Sequence, residues 1–200
     1  MKRWASSFAP SRDPLLADEP WVTYPAMSWL ERRLDPSMRG FEYGSGGSTL
    51  FFARRVALIT AAEHHEGWAQ RVRRAAQHEG LANIDVIHRP PDRHAPTRHV
   101  YLSRHTGHKD VSYEGYVRTI DAFDDRSLDF VFVDGRSRVA CVSHAARKIR
   151  PGGYLILDNA ERRRYAPAHR MMSRHRRLAF HGVGPRVPWR FLTVVWRLAR

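Results

Sequence analysis

The chain has 200 residues, 42% of them hydrophobic, which is enough for one globular domain with its own core and short of the usual size for two. No apolar run approaches the roughly 20 residues of a membrane span, residues 4–14 lack the apolar stretch of about 7–15 residues that a secretory signal needs, and the single Cys141 excludes an internal disulfide framework or a cysteine zinc cluster, so a reducing cytoplasm is the expected location. Residues 1–134 carry 18 Lys+Arg and 18 Asp+Glu, whereas residues 135–200 carry 16 and 2, so the entire formal charge of +14 lies in the last third.

That asymmetry suits an anionic partner: nucleic acid, a phosphate-bearing or acidic-sugar substrate, or an anionic membrane surface. Only Lys2, Lys109 and Lys148 are lysines, so codon bias and a well-solvated arginine face would produce the same count. Residues 1–20, broken by Pro10, Pro14 and Pro20, read as a weakly ordered arm, and residues 21–200 as a single domain. From 24 to 34, Met27, Trp29, Leu30 and Leu34 recur at helical spacing until Asp35-Pro36 stops them. Residues 40–43 predict a strand entering the turn Gly44-Ser45-Gly46-Gly47, followed by a helix through Arg55 and a second strand over 56–62. Residues 66–79 predict a helix with Trp68, Val72, Ala75 and Ala76 on one face, ended by Gly80, and residues 84–88 a third strand.

Residues 89–112 hold three prolines and four histidines without a period, the pattern of a substrate loop. Helical spacing resumes at Tyr113, Tyr116, Val117 and Ile120, and residues 128–133 form a fourth strand. Val139, Val142, Ala146 and Ile149 predict a helix capped by Ser137, and Pro151-Gly152-Gly153 leads into a strand over 154–157. An arginine-rich helix over 161–174 and a terminal hairpin, with strands near 178–180 and 191–196, complete the chain. Alternating apolar strands and helices mean an α/β doubly wound sheet with ligands at the carboxyl ends of its strands.

The chemistry concentrates at those ends. Glu42-x-Gly44-x-Gly46 gives an acid and a turn that backbone can use for close approach to a ligand, and Glu63 follows strand two, where an acid can accept ribose hydroxyls. A nicotinamide fingerprint would need a glycine at Thr49. With Asp134 after strand four and Pro151-Gly152-Gly153 before Asp158-Asn159, the ordered set resembles the class I S-adenosylmethionine-dependent methyltransferases, from about residue 21 to the C-terminus. The resemblance implies a seven-stranded, mostly parallel sheet in the order 3-2-1-4-5-7-6 with strand 7 antiparallel. It also implies S-adenosylmethionine as cofactor, with Glu42, Gly44, Ser45 and Gly46 near its methionine moiety, Glu63 on the ribose and His64 along the adenine. Ser48 or Thr49 would donate to its carboxylate, unless they serve the turn and the helix cap, and Asp134 would complete the cofactor site.

Asp134, Asp158 and Asn159 also resemble the ligands of metal-dependent O-methyltransferases, in which magnesium or another divalent cation acidifies the acceptor hydroxyl. The lysine that catechol-type members carry after the first aspartate is missing from Asp134-Gly135-Arg136-Ser137-Arg138. Alternatively Asp134 is the base, with His105 or His108 reaching over from the loop. Tyr113 and Tyr116 are candidates to face the acceptor, although helix packing explains both. Arg136, Arg138 and Arg162 are candidates to hold an anionic acceptor through bidentate contacts. The leading expectation is O-methylation of a small-molecule or glycan acceptor. The alternatives are an RNA methyltransferase, suggested by seven arginines between 162 and 177 but lacking the Asn/Asp-Pro-Pro-aromatic motif, and a noncatalytic anion- or membrane-surface-binding protein of the same fold.

Overall fold

The structure, a computed structural model, describes residues 15, 19–94, 99–103 and 111–199. The first helix, α1 (Tyr24–Arg33), starts where the Thr23 hydroxyl accepts the Ala26 amide, with Pro25 in its first turn. Then follow β1 (Arg39–Tyr43), α2 (Gly47–Ala53), β2 (Leu58–Glu63), α3 (Glu66–His78) and β3 (Ile84–His88). The second half holds α4 (Glu114–Arg118), β4 (Leu128–Val133), α5 (Arg138–Ala145), β5 (Ile149–Leu157), α6 (Ala166–Met171), β6 (Arg176–Gly184) and β7 (Val187–Arg197). The strands form one sheet in the order β3-β2-β1-β4-β5-β7-β6. All pairings are parallel except β5 with β7 and β7 with β6, the order and direction that the sequence led one to expect.

Period-two alternation distributes each central strand between two cores. In β4, Val131 and Val133 face one cluster while Phe130 and Phe132 face the other, and Leu155 and Leu157 oppose Ile156 in β5 in the same way. The first cluster is covered by α4, α5 and α6, the second by α1 and α2, and a third under α3 contains Val72 and Val86. Burial on both faces is why these strands read as continuous apolar runs. No helix among the described residues is long and apolar enough to cross a membrane.

Several boundaries differ from expectation. The arginine-rich helix over 161–174 is interrupted: Pro167 lacks an N–H and fits only a first helical turn, so a 3₁₀ turn at Arg163–Tyr165 precedes the short α6. Ile149 leaves its expected helix and pairs with Leu128, so Pro151-Gly152-Gly153 lies inside β5 at an irregularity of the ladder. Ser137 stands at the N-cap of α5 but has left-handed backbone (φ 47°), and its hydroxyl donates to Tyr101 O at 2.8 Å instead of capping the helix. Most of the expected N-terminal arm lies outside the described residues, but Leu15 is buried with Ala61, Ala69, Val72 and Val86.

Candidate functional site

At the end of β1 the chain turns through Gly44, whose φ of +97° is costly for any residue with a Cβ and whose N–H donates to Ala62 O at 2.9 Å. This turn presents Ser45 to Glu63 at the end of β2. The Ser45 amide (3.0 Å) and hydroxyl (3.1 Å) donate to Glu63 Oε2, while the amides of His64 and His65, both at 2.8 Å, donate to Oε1. Burial by itself raises the Glu63 carboxyl, but His64, the His65 amide and Ser45 outweigh it and hold it below its usual range. His64 Nδ1 lies 2.8 Å from Glu63 Oε1, and its Nε2 accepts from Arg136 Nε at 3.2 Å. Arg136, His64, Glu63 and Ser45 thus form one hydrogen-bonded chain across the carboxyl ends of the strands.

Glu42 projects from β1 into the base of the same site and is 1% exposed. Ser48 Oγ donates to one carboxylate oxygen and Thr49 Oγ1, at 2.7 Å, to the other. Thr49 Oγ1 also accepts from Gly46 N at 2.9 Å, closing the first turn of α2. Burial pushes the Glu42 carboxyl up to about 8, against the pull of the two hydroxyls and with Asp134 and Glu63 adding repulsion.

Asp134 follows β4 and is paired with Arg138 Nη2 at 2.6 Å. The other Arg138 donors close the neighbouring turns: Nη2 to Asp134 O (2.7 Å), Nε to Gly135 O (3.0 Å), Nη1 to Asp158 O (2.7 Å) and Nη1 to Asn159 Oδ1 (3.5 Å). Burial raises the Asp134 carboxyl, opposed by Arg138 and Arg162. At the metal ligands that the resemblance implies, Asp134, Asp158 and Asn159, the Arg138 guanidinium already lies against Asp134 Oδ1, Asp158 O and Asn159 Oδ1. Asp158 Oδ1 instead accepts from Thr193 Oγ1 at 2.8 Å, and burial followed by repulsion from Asp134 pushes its carboxyl well above its usual range. The donor set does not fit a magnesium or calcium ion, and among the described residues no cluster of His, Cys, Asp and Glu does.

Glu42, Gly44, Ser45, Ser48, Glu63, His64 and Asp134 border one cleft of about 940 Å³, with Arg136, Arg138, Asp158, Asn159 and Arg162 on its other side. Gly46 lines a smaller adjoining pocket, and Thr49 is buried behind it. Tyr113 and Tyr116 do not line either pocket: both are fully buried, packing edge-on against His64 at 5.8 and 6.2 Å, so core packing accounts for them. Arg138 is likewise committed to the strand ends, unlike the free acceptor contact expected of it. His105 and His108 lie outside the described residues.

The structure adds residues that sequence reasoning missed. Trp68 donates Nε1–H to Ser45 O at 2.6 Å and flanks the cleft with Trp21 and Trp189. Its place in the first turn after β2 was an available signal, since such turns sit at the ligand end of a parallel sheet. Nothing local marks Trp189, 66% exposed on the terminal hairpin, as a cleft residue. Cys141 is buried and donates Sγ–H to Arg136 O at 3.2 Å, as a small core residue would.

No protein-family model matches the chain, and no curated protein matches it in sequence. Solved structures do match it in fold. A proposed O-methyltransferase from Klebsiella pneumoniae superposes with a TM-score of 0.66 and 17% identity, covering 100% of this chain and 87% of that one. An rRNA methylase from Streptococcus thermophilus gives 0.60 and 13%, covering 95% and 99%. A proposed methyltransferase from Streptococcus mutans, in complex with S-adenosylhomocysteine, gives 0.57 and 11%, covering 86% and 94%. The chain therefore has the class I, Rossmann-like fold of the S-adenosylmethionine-dependent methyltransferases.

Proposed function

We propose that the protein is an S-adenosylmethionine-dependent methyltransferase acting on an oxygen of a small-molecule or glycan acceptor that carries negative charge. The observation that carries this reading is the convergence of Glu42, Glu63 and Asp134 on one cleft around the Gly44 turn. That cleft lies beside the junction of β1 and β4, where the strand order reverses and doubly wound sheets bind ligands. Glu42 has no cationic partner among the described residues, so its buried carboxyl is suited to a ligand's ammonium group. Glu63 stands where a ribose diol would exchange for the Ser45 contacts, and His64, Trp68 and Trp21 offer flat faces to a purine.

When bound, S-adenosylmethionine supplies an electrophilic methyl group on a positively charged sulfur. The chain's own task is then to orient the acceptor and take its proton. Asp134, with its carboxyl raised by burial and its position fixed by Arg138, is the base in this reading, and the proton of the acceptor hydroxyl passes to its carboxylate. Arg136 and Arg162 hold the acceptor's negative charge. No step needs a metal ion, since Arg138 already supplies the positive charge between the two turns.

Calorimetric titration with S-adenosylhomocysteine tests the reading. Micromolar binding is expected, weakened at least about tenfold in Glu63→Gln, which keeps the side chain's size but surrenders a charged acceptor. No binding to the wild type overturns the proposal. Tight RNA binding that falls steeply with salt and is indifferent to Glu63 would replace it with an RNA-directed reading.

A further inference from the structure

Beyond Asp134, the cleft continues into a second cavity of about 500 Å³, bounded by residues 99–103, the turn at 135–139 and the segment at 162–170. The two cavities share Gly135, Arg136, Arg138 and Arg162, so a molecule in the second reaches the same strand ends as one in the first. Six arginines (136, 138, 162, 163, 164 and 170) line this cavity, and among the described residues no carboxylate side chain does. They differ in what already holds them. Arg138 is consumed by Asp134, Arg136 is tied to His64, and Arg164 lies over the Tyr165 ring at 5.1 Å. Arg162 lies 3.9 Å from Glu161 and acts electrostatically on Asp134, whereas Arg163 and Arg170 have no carboxylate partner among the described residues. Leu102, Val139, Tyr165 and Pro167 supply an apolar wall.

We propose that this cavity is the acceptor subsite and that it selects a small organic acceptor bearing a phosphoryl group. The inference rests on the methyltransferase reading for the word acceptor, but the anion site stands or falls by itself. Like charges gathered without counter-ions repel one another, and a single carboxylate offsets only one of them, whereas a phosphate dianion offsets two and presents several oxygens to guanidinium forks. The apolar wall covers the organic body, and the volume fits a small molecule instead of a polynucleotide strand. Arg162, at the mouth shared with the cofactor cleft, sets the distance between the anion and the reacting oxygen.

The test titrates phenyl phosphate, with benzoate and phenol as controls, into the full-length protein saturated with S-adenosylhomocysteine at fixed ionic strength. Phenyl phosphate is expected to bind at least about tenfold more tightly than benzoate, with phenol weaker still. The double variant Arg163→Ala/Arg170→Ala is expected to lose at least about tenfold in phenyl phosphate affinity while keeping its affinity for S-adenosylhomocysteine, which also shows that it is folded. Equal affinities for phenyl phosphate and benzoate, or an unchanged double variant, overturn the subsite. A single-stranded RNA oligonucleotide that displaces phenyl phosphate at far lower concentration would assign the arginines to nucleic acid and overturn it too. If phenyl phosphate binds selectively but S-adenosylhomocysteine does not bind at all, the anion site stands and the methyltransferase reading falls.

Discussion

Glu42 and Arg138 show how single side chains at the strand ends carry opposite electrostatic loads. The Glu42 carboxyl titrates at about 8 in the folded chain against an ordinary 4.5, so between those values the unfolded chain loses its proton first. Its contribution to stability is complete below about 4.5, falls as the pH rises and levels off above about 8. Glu42→Gln is expected to flatten that slope, and melting temperature measured across this range checks it. A bound ammonium group reverses the preference, so cofactor binding near neutral pH should release a proton, visible as a binding heat that depends on the buffer's ionisation enthalpy. Arg138→Met leaves Asp134 without its partner and opens two turns, and is expected to cost about 2–4 kcal/mol in chemical denaturation. Magnesium is expected to leave the wild-type melting temperature unchanged, and a saturable rise would contradict the account of Arg138. The acids at 42, 63 and 134 were all readable from their places at strand ends. The Arg138 clip was not, because its partners at Asp158 and Asn159 are brought to it only by the β4–β5 pairing.

Among the elements, the turn from β4 to α5 is built with the least slack. A Cβ at Gly135 would lie 1.8 Å from the Tyr116 hydroxyl and 3.0 Å from the Gly44 amide nitrogen, and Tyr116 is fully buried. Gly135→Ala is therefore expected to destabilise by about 1–3 kcal/mol, and a Tyr116→Phe background should recover part of the loss in a double-mutant cycle. Nothing in the local sequence signals this constraint at Gly135, since the close approach involves a residue nineteen positions earlier. Local chemistry was readable where it acted locally, as in the helical spacing of α1 or the apolar run of β4. It misled where a tertiary bond outbid it: Ser137 has the composition of a cap, yet its hydroxyl is taken by Tyr101, and Ile149 continues a helical period but pairs with Leu128. Pro167 carried its own signal, and the break it makes at the start of α6 follows from its missing N–H.

At the scale of the whole molecule, stability is graded from the centre of the sheet outward. β4 is paired on both sides and buried on both faces, while β3 and β6 each have a single neighbour. Amide hydrogen exchange is expected to be slowest in β1 and β4 and faster in β3 and β6, and uniform protection across the sheet would refute this ordering. The sequence by itself determined the alternation of strands and helices, because apolar periodicity is a property of neighbouring residues, and it placed the acids at strand ends for the same reason. It also confined the net positive charge to the last third. Only the tertiary structure decided what those charges meet, since side chains far apart in the chain become neighbours only when the sheet forms. That is why Arg138 lies against residues implied as metal ligands, why Tyr113 and Tyr116 belong to the core, and why six arginines between 136 and 170 gather around one cavity beside the acids of the other.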